Sequence, residues 1–131
     1  MTLAAIMPAQ MSAPRRPALR YYGSKWCGLF VEYQARMAYA SLELPCPLRD
    51  EDWLAGAKNW LAMGKRNGWL VTHPQPGDVA VVTYNGTDAD HVCVVRSVAG
   101  GMIETVDGNS LSQVRVNRRE LSPKNFVGFV R

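Results

Sequence analysis

The hydrophobic period of the chain changes once, at the turn sequence Pro74-Gln75-Pro76-Gly77-Asp78, and that change limits the folds open to it. After the turn come short β-rich runs, Val79 to Tyr84, His91 to Val98, Met102 to Asp107, Gln113 to Val116 and Phe126 to Val130. Asn85-Gly86 and Gly100-Gly101 supply hairpin signals between them. Before the turn the spacing is helical. Trp26, Phe30, Tyr33, Met37 and Ala40 predict one amphipathic helix, with Ser24 as its N-cap and an end near Ala40. Leu44-Pro45-Cys46-Pro47 is a rigid connector. A second helix is then predicted from an Asp50 cap, with Glu51 and Asp52 complementing its dipole, Trp53, Ala57, Trp60 and Leu61 on its inner face, and Gly64 as its stop. The expected architecture is α+β, two N-terminal helices packed on one side of a small curled antiparallel sheet of about five strands.

A chain of 131 residues fits one domain with a substantial core. No stretch approaches the ~20 consecutive apolar residues that span a bilayer, so no stable membrane insertion is expected. Residues 1–20 are expected to be a poorly ordered extension, because Pro8, Pro14 and Pro17 discourage regular structure, and the folded domain to occupy 21–131. The apolar run Thr2 to Ala9 has no basic residues ahead of it, which argues against a secretory signal. The net charge of +4 comes from scattered basic residues, among them Arg15, Arg16, Arg20, Lys65, Arg66, Arg115, Arg118, Arg119 and Lys124, read as solvated surface. Basic and aromatic residues do not interleave, so no nucleic-acid partner is expected. Cys27, Cys46 and Cys93 contain no C-x-x-C pair, and the acidic triplet at 50–52 is accounted for by helix-start chemistry. No disulfide framework, metal or cofactor is therefore expected.

The chemistry centres on Cys27. A thiol in the first turn of a helix lies among unpaired N–H groups at the positive end of the macrodipole, which favours the thiolate. Such a nucleophile needs a base, and the base needs a third group to orient it. Of two histidines, His73 lies in a loop and is expected to face solvent, whereas His91 opens a strand. Along Ile103-Glu104-Thr105-Val106-Asp107-Gly108-Asn109, residues 103, 105 and 107 share one face and Glu104 points the other way, to solvent. His91 and Asp107 can thus stand side by side on neighbouring strands, with Asn109 just beyond.

Several blocks resemble one family in order: Trp26-Cys27-Gly28-Leu29-Phe30-Val31, Ala57-Lys58-Asn59-Trp60, Pro76-Gly77-Asp78-Val79-Ala80-Val81-Val82, His91-Val92-Cys93-Val94-Val95, Thr105-Val106-Asp107-Gly108-Asn109 and Val127-Gly128-Phe129-Val130-Arg131. Together they resemble the CHAP domain of the NlpC/P60-type cysteine peptidase and amidase superfamily, over about residues 21 to 131. The resemblance implies a papain-like NlpC/P60 fold, Cys27 as nucleophile, His91 as base, and Asp107 or Asn109 as the residue that orients the base. Two departures stand out. Asp107 occupies the position of the family's usual glutamate, and Cys93 replaces a frequent glycine on the same side of the strand as His91. Trp26 and Tyr22, with Tyr21, flank the nucleophile, and two readings stand for them: walls of the substrate groove or aromatic packing in the core.

The implied substrate is peptidoglycan, cleaved at an amide bond by an N-acetylmuramoyl-L-alanine amidase or crosslink endopeptidase through a thioester acyl-enzyme. No cofactor is implied. A phage endolysin, a tail lysin and a secreted antibacterial effector are all compatible with synthesis in the cytoplasm and action in the periplasm or wall, and a cognate immunity or inhibitor protein is compatible with the last. A monomer is expected. The alternatives are a non-catalytic wall-binding module and a thiol acyltransferase or hydrolase acting on another substrate.

Overall fold

The computed structural model describes residues 27–110 and 113–131, with backbone alone for Asn109 and Ser110. The expected 1–20 extension, the Ser24 cap, Tyr21, Tyr22 and Trp26 lie outside the described residues. Helix α1 runs Cys27–Ser41 and buries Gly28, Phe30, Val31, Gln34, Ala35 and Ala38. This face is rotated from the expected one. Tyr33 and Met37 are exposed, because long amphipathic side chains tolerate the surface. The polar Gln34 instead lies inside, its amide without a hydrogen-bond partner among the described residues.

The second helix also departs from expectation. Asp50–Asp52 forms only a 3-10 turn, which ends as Trp53 enters the left-handed region at φ 50°. Helix α2 starts later, at Ala57–Asn67. Asp52 is drawn into ion pairs with Arg49, at 3.0 Å, and with Arg66, while Trp53 is exposed rather than on the inner face. Gly64 does not stop the helix. An added Cβ there would meet Leu70 and Val130 side chains at 2.9 Å, so Gly64 permits close helix-to-sheet approach. The stop is Gly68, whose φ of 71° and N–H bonds to Gly64 and Lys65 carbonyls make the left-handed cap.

Six strands follow: β1 Leu70–Val71, β2 Val79–Val82, β3 His91–Ala99, β4 Met102–Ser110, β5 Gln113–Glu120 and β6 Phe126–Val130. They form one antiparallel sheet in the order β1-β6-β2-β3-β4-β5. The strand beyond the expected five is β1, two residues long and too short to show alternation. Gly100 and Gly101, both at positive φ, make the tight β3–β4 turn, whereas Asn85-Gly86 lies within a longer β2–β3 loop. Val79, Val81, Val92, Val94 and Val106 pack with Phe30 and Val31 of α1 and with Trp60 and Met63 of α2. The opposite parity, Ala80, Val82, Cys93, Val95 and Ile103, forms a second cluster with Phe126 and Phe129. A register shift between Val81 and Val82 lets both phenylalanines join that cluster.

Candidate active site

Cys27 is the first residue of α1, so its thiol occupies the turn whose N–H groups lack helical partners. The start of this helix is held tightly. Trp60 Nε1 donates to Leu54 O at 2.9 Å and to Gly28 O at 3.3 Å. Gly28 is required where it stands, since a Cβ would lie 2.2 Å from Leu54 O and 2.3 Å from Ala55 O. Across from the thiol, His91 opens β3 with 7% of its surface exposed. The Cys27 thiol hydrogen-bonds His91, and the Val92 and Gly28 backbones add to its stabilisation.

His91 Nε2 lies 2.7 Å from Asp107 Oδ2, which leaves Nδ1 as the ring nitrogen for the thiol. Asp107 is completely buried on β4 and shares its face with Ile103 and Thr105, as the alternation predicts. Glu104 is half-buried rather than fully solvated, its Oε1 accepting from Ser97 Oγ at 2.9 Å. The structure therefore brings together Cys27, His91 and Asp107. Asn109 follows on the same strand, and its side chain lies outside the described residues. His73 is exposed in its loop.

Sequence reasoning missed two members of this cluster, Thr105 and Arg119. Arg119 donates from Nη2 to Asp107 Oδ2 at 2.8 Å and from Nη1 to Thr105 Oγ1 at 2.7 Å. The Thr105 hydroxyl in turn donates to Asp107 Oδ1. Arg119 is thus a paired, largely covered cation, not the solvated surface charge expected. A signal existed. β4 is nine residues long, and extending its partner past Val116 sets Arg119 opposite Ile103, on the face that carries Thr105 and Asp107.

These contacts set the protonation states. Burial would raise the Asp107 carboxyl, but hydrogen bonds and charge from His91 and Arg119 overcome it and bring the pKa to about 2. Burial would lower His91, yet its bonds to Asp107 and Cys27 raise it from 6.5 to about 9. Cys27, against the burial that opposes ionisation, is held below its ordinary 9.0 by His91 and the two backbone groups. The arrangement favours a thiolate facing an imidazolium.

Cys93 is fully buried on the same face, and donor atoms of His91, Cys93 and Asp107 lie within 4.8 Å of one another. These three could in principle bind a soft divalent cation. Two features work against it. Burial holds the Cys93 thiol protonated, with a pKa well above 9.0, and Asp107 Oδ2 already accepts from both His91 and the Arg119 cation. The cluster is built as a hydrogen-bonded relay. A cleft of about 440 Å³ opens over Cys27 and His91, walled by Gly56, Lys58 and Asn59 on one side and by Tyr84 and Asp90 on the other. A second, apolar groove of about 400 Å³ beside β1 and β6 contains neither Cys27 nor His91.

The sequence pattern of the CHAP domain matches residues 19–109, well over half of the chain and inclusive of Cys27, His91 and Asp107. The chain belongs to the CHAP domain family. CHAP domains are in general hydrolases of the cysteine peptidase and amidase type acting on peptidoglycan. Among solved structures, the crystal structure of Ly7917 is similar at 20% identity, with a TM-score of 0.43. That alignment covers 57% of this chain and 37% of the other, so the CHAP chain here matches little more than a third of that protein's length. No curated protein sequence matches it. The β5 strand with Arg119 lies beyond the matched segment.

Proposed function

We propose that this CHAP domain is a peptidoglycan hydrolase that cleaves an amide bond, with Cys27 as nucleophile, His91 as general acid and base, and Asp107 as the residue that orients His91. The observation that carries the proposal is the continuous chain of contacts from a helix-start thiol through His91 to a buried carboxylate at 2.7 Å. The domain spans 21–131 in this reading, and the helix-start cysteine facing a strand histidine corresponds to the papain-like arrangement. The described helices contain none long and apolar enough to cross a membrane.

Attack of the Cys27 sulfur on the amide carbonyl gives a tetrahedral oxyanion, held in part by the Cys27 backbone N–H. His91 gives its Nδ1 proton to the departing amine as the C–N bond breaks, leaving a thioester. His91 then takes a proton from water, the hydroxide adds to the thioester, and the C–S bond breaks to release the carboxylic acid and the thiolate. Asp107 keeps Nε2 protonated and the ring turned toward sulfur throughout. Trp26 and Tyr22, candidate walls of the substrate groove, lie outside the described residues, as does the side chain of Asn109, the alternative orienting residue. The enzyme acts on the wall as a phage lysin or a delivered antibacterial effector.

Purified sacculi digested with the protein should release fragments whose new termini identify the bond, with Cys27→Ala inert. Equal release by Cys27→Ala and the unaltered protein, or none by either, would remove the proposal.

A further inference from the structure

We propose that Arg119 and Thr105 are positioning residues for the hydrolysis, a clamp that fixes the Asp107 carboxylate and limits how strongly its charge acts on His91. The inference rests on the Cys27–His91–Asp107 reading and extends it to a strand outside the segment that matches the family pattern. Its geometry is specific. Oδ2 of Asp107 accepts from His91 Nε2 and Arg119 Nη2, Oδ1 accepts from the Thr105 hydroxyl, and that hydroxyl accepts from Arg119 Nη1. Both carboxylate oxygens are thereby engaged, and rotation about the Asp107 side chain would break at least two bonds. Free rotation would let Nε2 lose its partner and the ring turn away from the thiol.

The guanidinium also has an electrostatic task. A buried carboxylate with no other cation would put its whole charge on His91 and hold the proton too firmly to release to a leaving amine. Arg119 shares Oδ2 with His91 and offsets that charge. Only an arginine reaches both Oγ1 and Oδ2 with separate nitrogens; a lysine would keep the charge and lose the bridge. The other groups around His91 are Cys27 from α1, Cys93 from its own strand, and Tyr84 and Asp90 from the β2–β3 loop. Tyr84 stands close enough to feel Arg119, Asp107 and Cys27. Arg115 faces Asp107 directly in the β-ladder yet is exposed, so it serves as a control of equal charge.

The test pairs hydrolysis kinetics with the pH dependence of Cys27 alkylation, which reports the thiolate without any substrate. Arg119→Lys should lose about a hundredfold in kcat, the scale of an ångström-level misplacement, with its alkylation profile unmoved. Arg119→Met should lose at least as much and shift the alkaline, His91-controlled limb upward by roughly half a unit to one unit. Arg119→Gln carries the same expectation if Arg119→Met does not fold. Thr105→Val should lose about tenfold in kcat with no shift, and Arg115→Met should match the unaltered protein in both readouts. Neutral Arg119 variants that superpose on the unaltered protein in rate and profile would overturn the clamp. Absence of a thiolate at mildly acidic pH in the unaltered protein would instead overturn the underlying reading of Cys27, so the two failures are distinguishable.

Discussion

Asp78 and Asp107 of this CHAP domain are both almost wholly buried, and each is held by an arginine, yet they do different things. Asp78, in the turn before β2, receives both Nε and Nη2 of Arg131 at 2.9 Å and the backbone N–H of Gln75 at 2.8 Å. The same guanidinium reaches His73 O at 3.0 Å, so the last residue is stitched to the turn that opens the sheet. Asp107 has an arginine and a hydroxyl in the same sense, but its remaining acceptor capacity goes to His91. An Asp–Arg pair closed on itself is a tie. An Asp–Arg pair that leaves room for a histidine beside a thiol is a device for holding a proton in one place.

The largest expected difference is in catalysis. Asp107→Ala should lower kcat/KM for wall hydrolysis by at least about a thousandfold, on the scale seen when the orienting member of a catalytic triad is removed. Asp78→Ala should leave kcat/KM per folded molecule within about twofold and lower unfolding stability by about 1–2 kcal/mol, a modest figure because Arg131 keeps water access. Steady-state kinetics with a denaturant melt on each variant decide the matter. Comparable activity losses in the two would erase the distinction.

The next expectation concerns stability against pH, where the histidine again separates the pairs. His91 is raised from 6.5 to about 9. Its contribution is therefore fully present below pH 6.5 and is lost as pH climbs through about 9. Asp107 is lowered from 3.8 to about 2, so its contribution is present above pH 3.8 and is lost as pH falls through about 2. Thermal melts of the unaltered protein should show Tm declining between pH 6.5 and about 9, and His91→Gln should flatten that decline. Arg131→Met should lower Tm by a similar amount at both ends of this range, because it removes the tie and leaves the proton-binding pair intact. A decline that survives in His91→Gln would place the titrating group elsewhere.

Much of this was legible before any coordinates. Turn residues and alternation located five strands, and strand parity put Asp107 on the face where His91 meets it. The failures share a physical cause, the reach of long side chains. Tyr33 and Met37 satisfied a helical pattern but remain at the surface, while Gln34, which breaks the pattern, is inside. Asp50-Glu51-Asp52 has the composition of a helix start, but Asp52 is captured by Arg49 and by Arg66 from α2, and the chain turns over at Trp53 before the helix begins. Arg119 was hidden by an early end to β5 and by its own length, which carries its guanidinium from the position opposite Ile103 to Asp107. Local pattern registers where a residue starts; it does not register where a long side chain ends.

The smallest expected effect belongs to Cys93, and it tests whether proximity alone makes a site residue. Its sulfur lies in the same face as His91 and Asp107, yet its hydrogen bonds go to Ala80 O at 3.8 Å, a weak contact across the β2–β3 pair, and to the Thr105 side chain. Burial holds the thiol protonated, so it brings no charge to the relay. Cys93→Ala should therefore cost about 1 kcal/mol of stability from the lost sulfur volume and change kcat/KM by less than about threefold. Cys27→Ala should abolish turnover at nearly unchanged stability, because its thiol is only half-buried. A tenfold or greater loss of kcat/KM in Cys93→Ala, with stability accounted for, would mean that the relay uses both thiols. The contrast would then be among three buried groups around His91 rather than between two carboxylates.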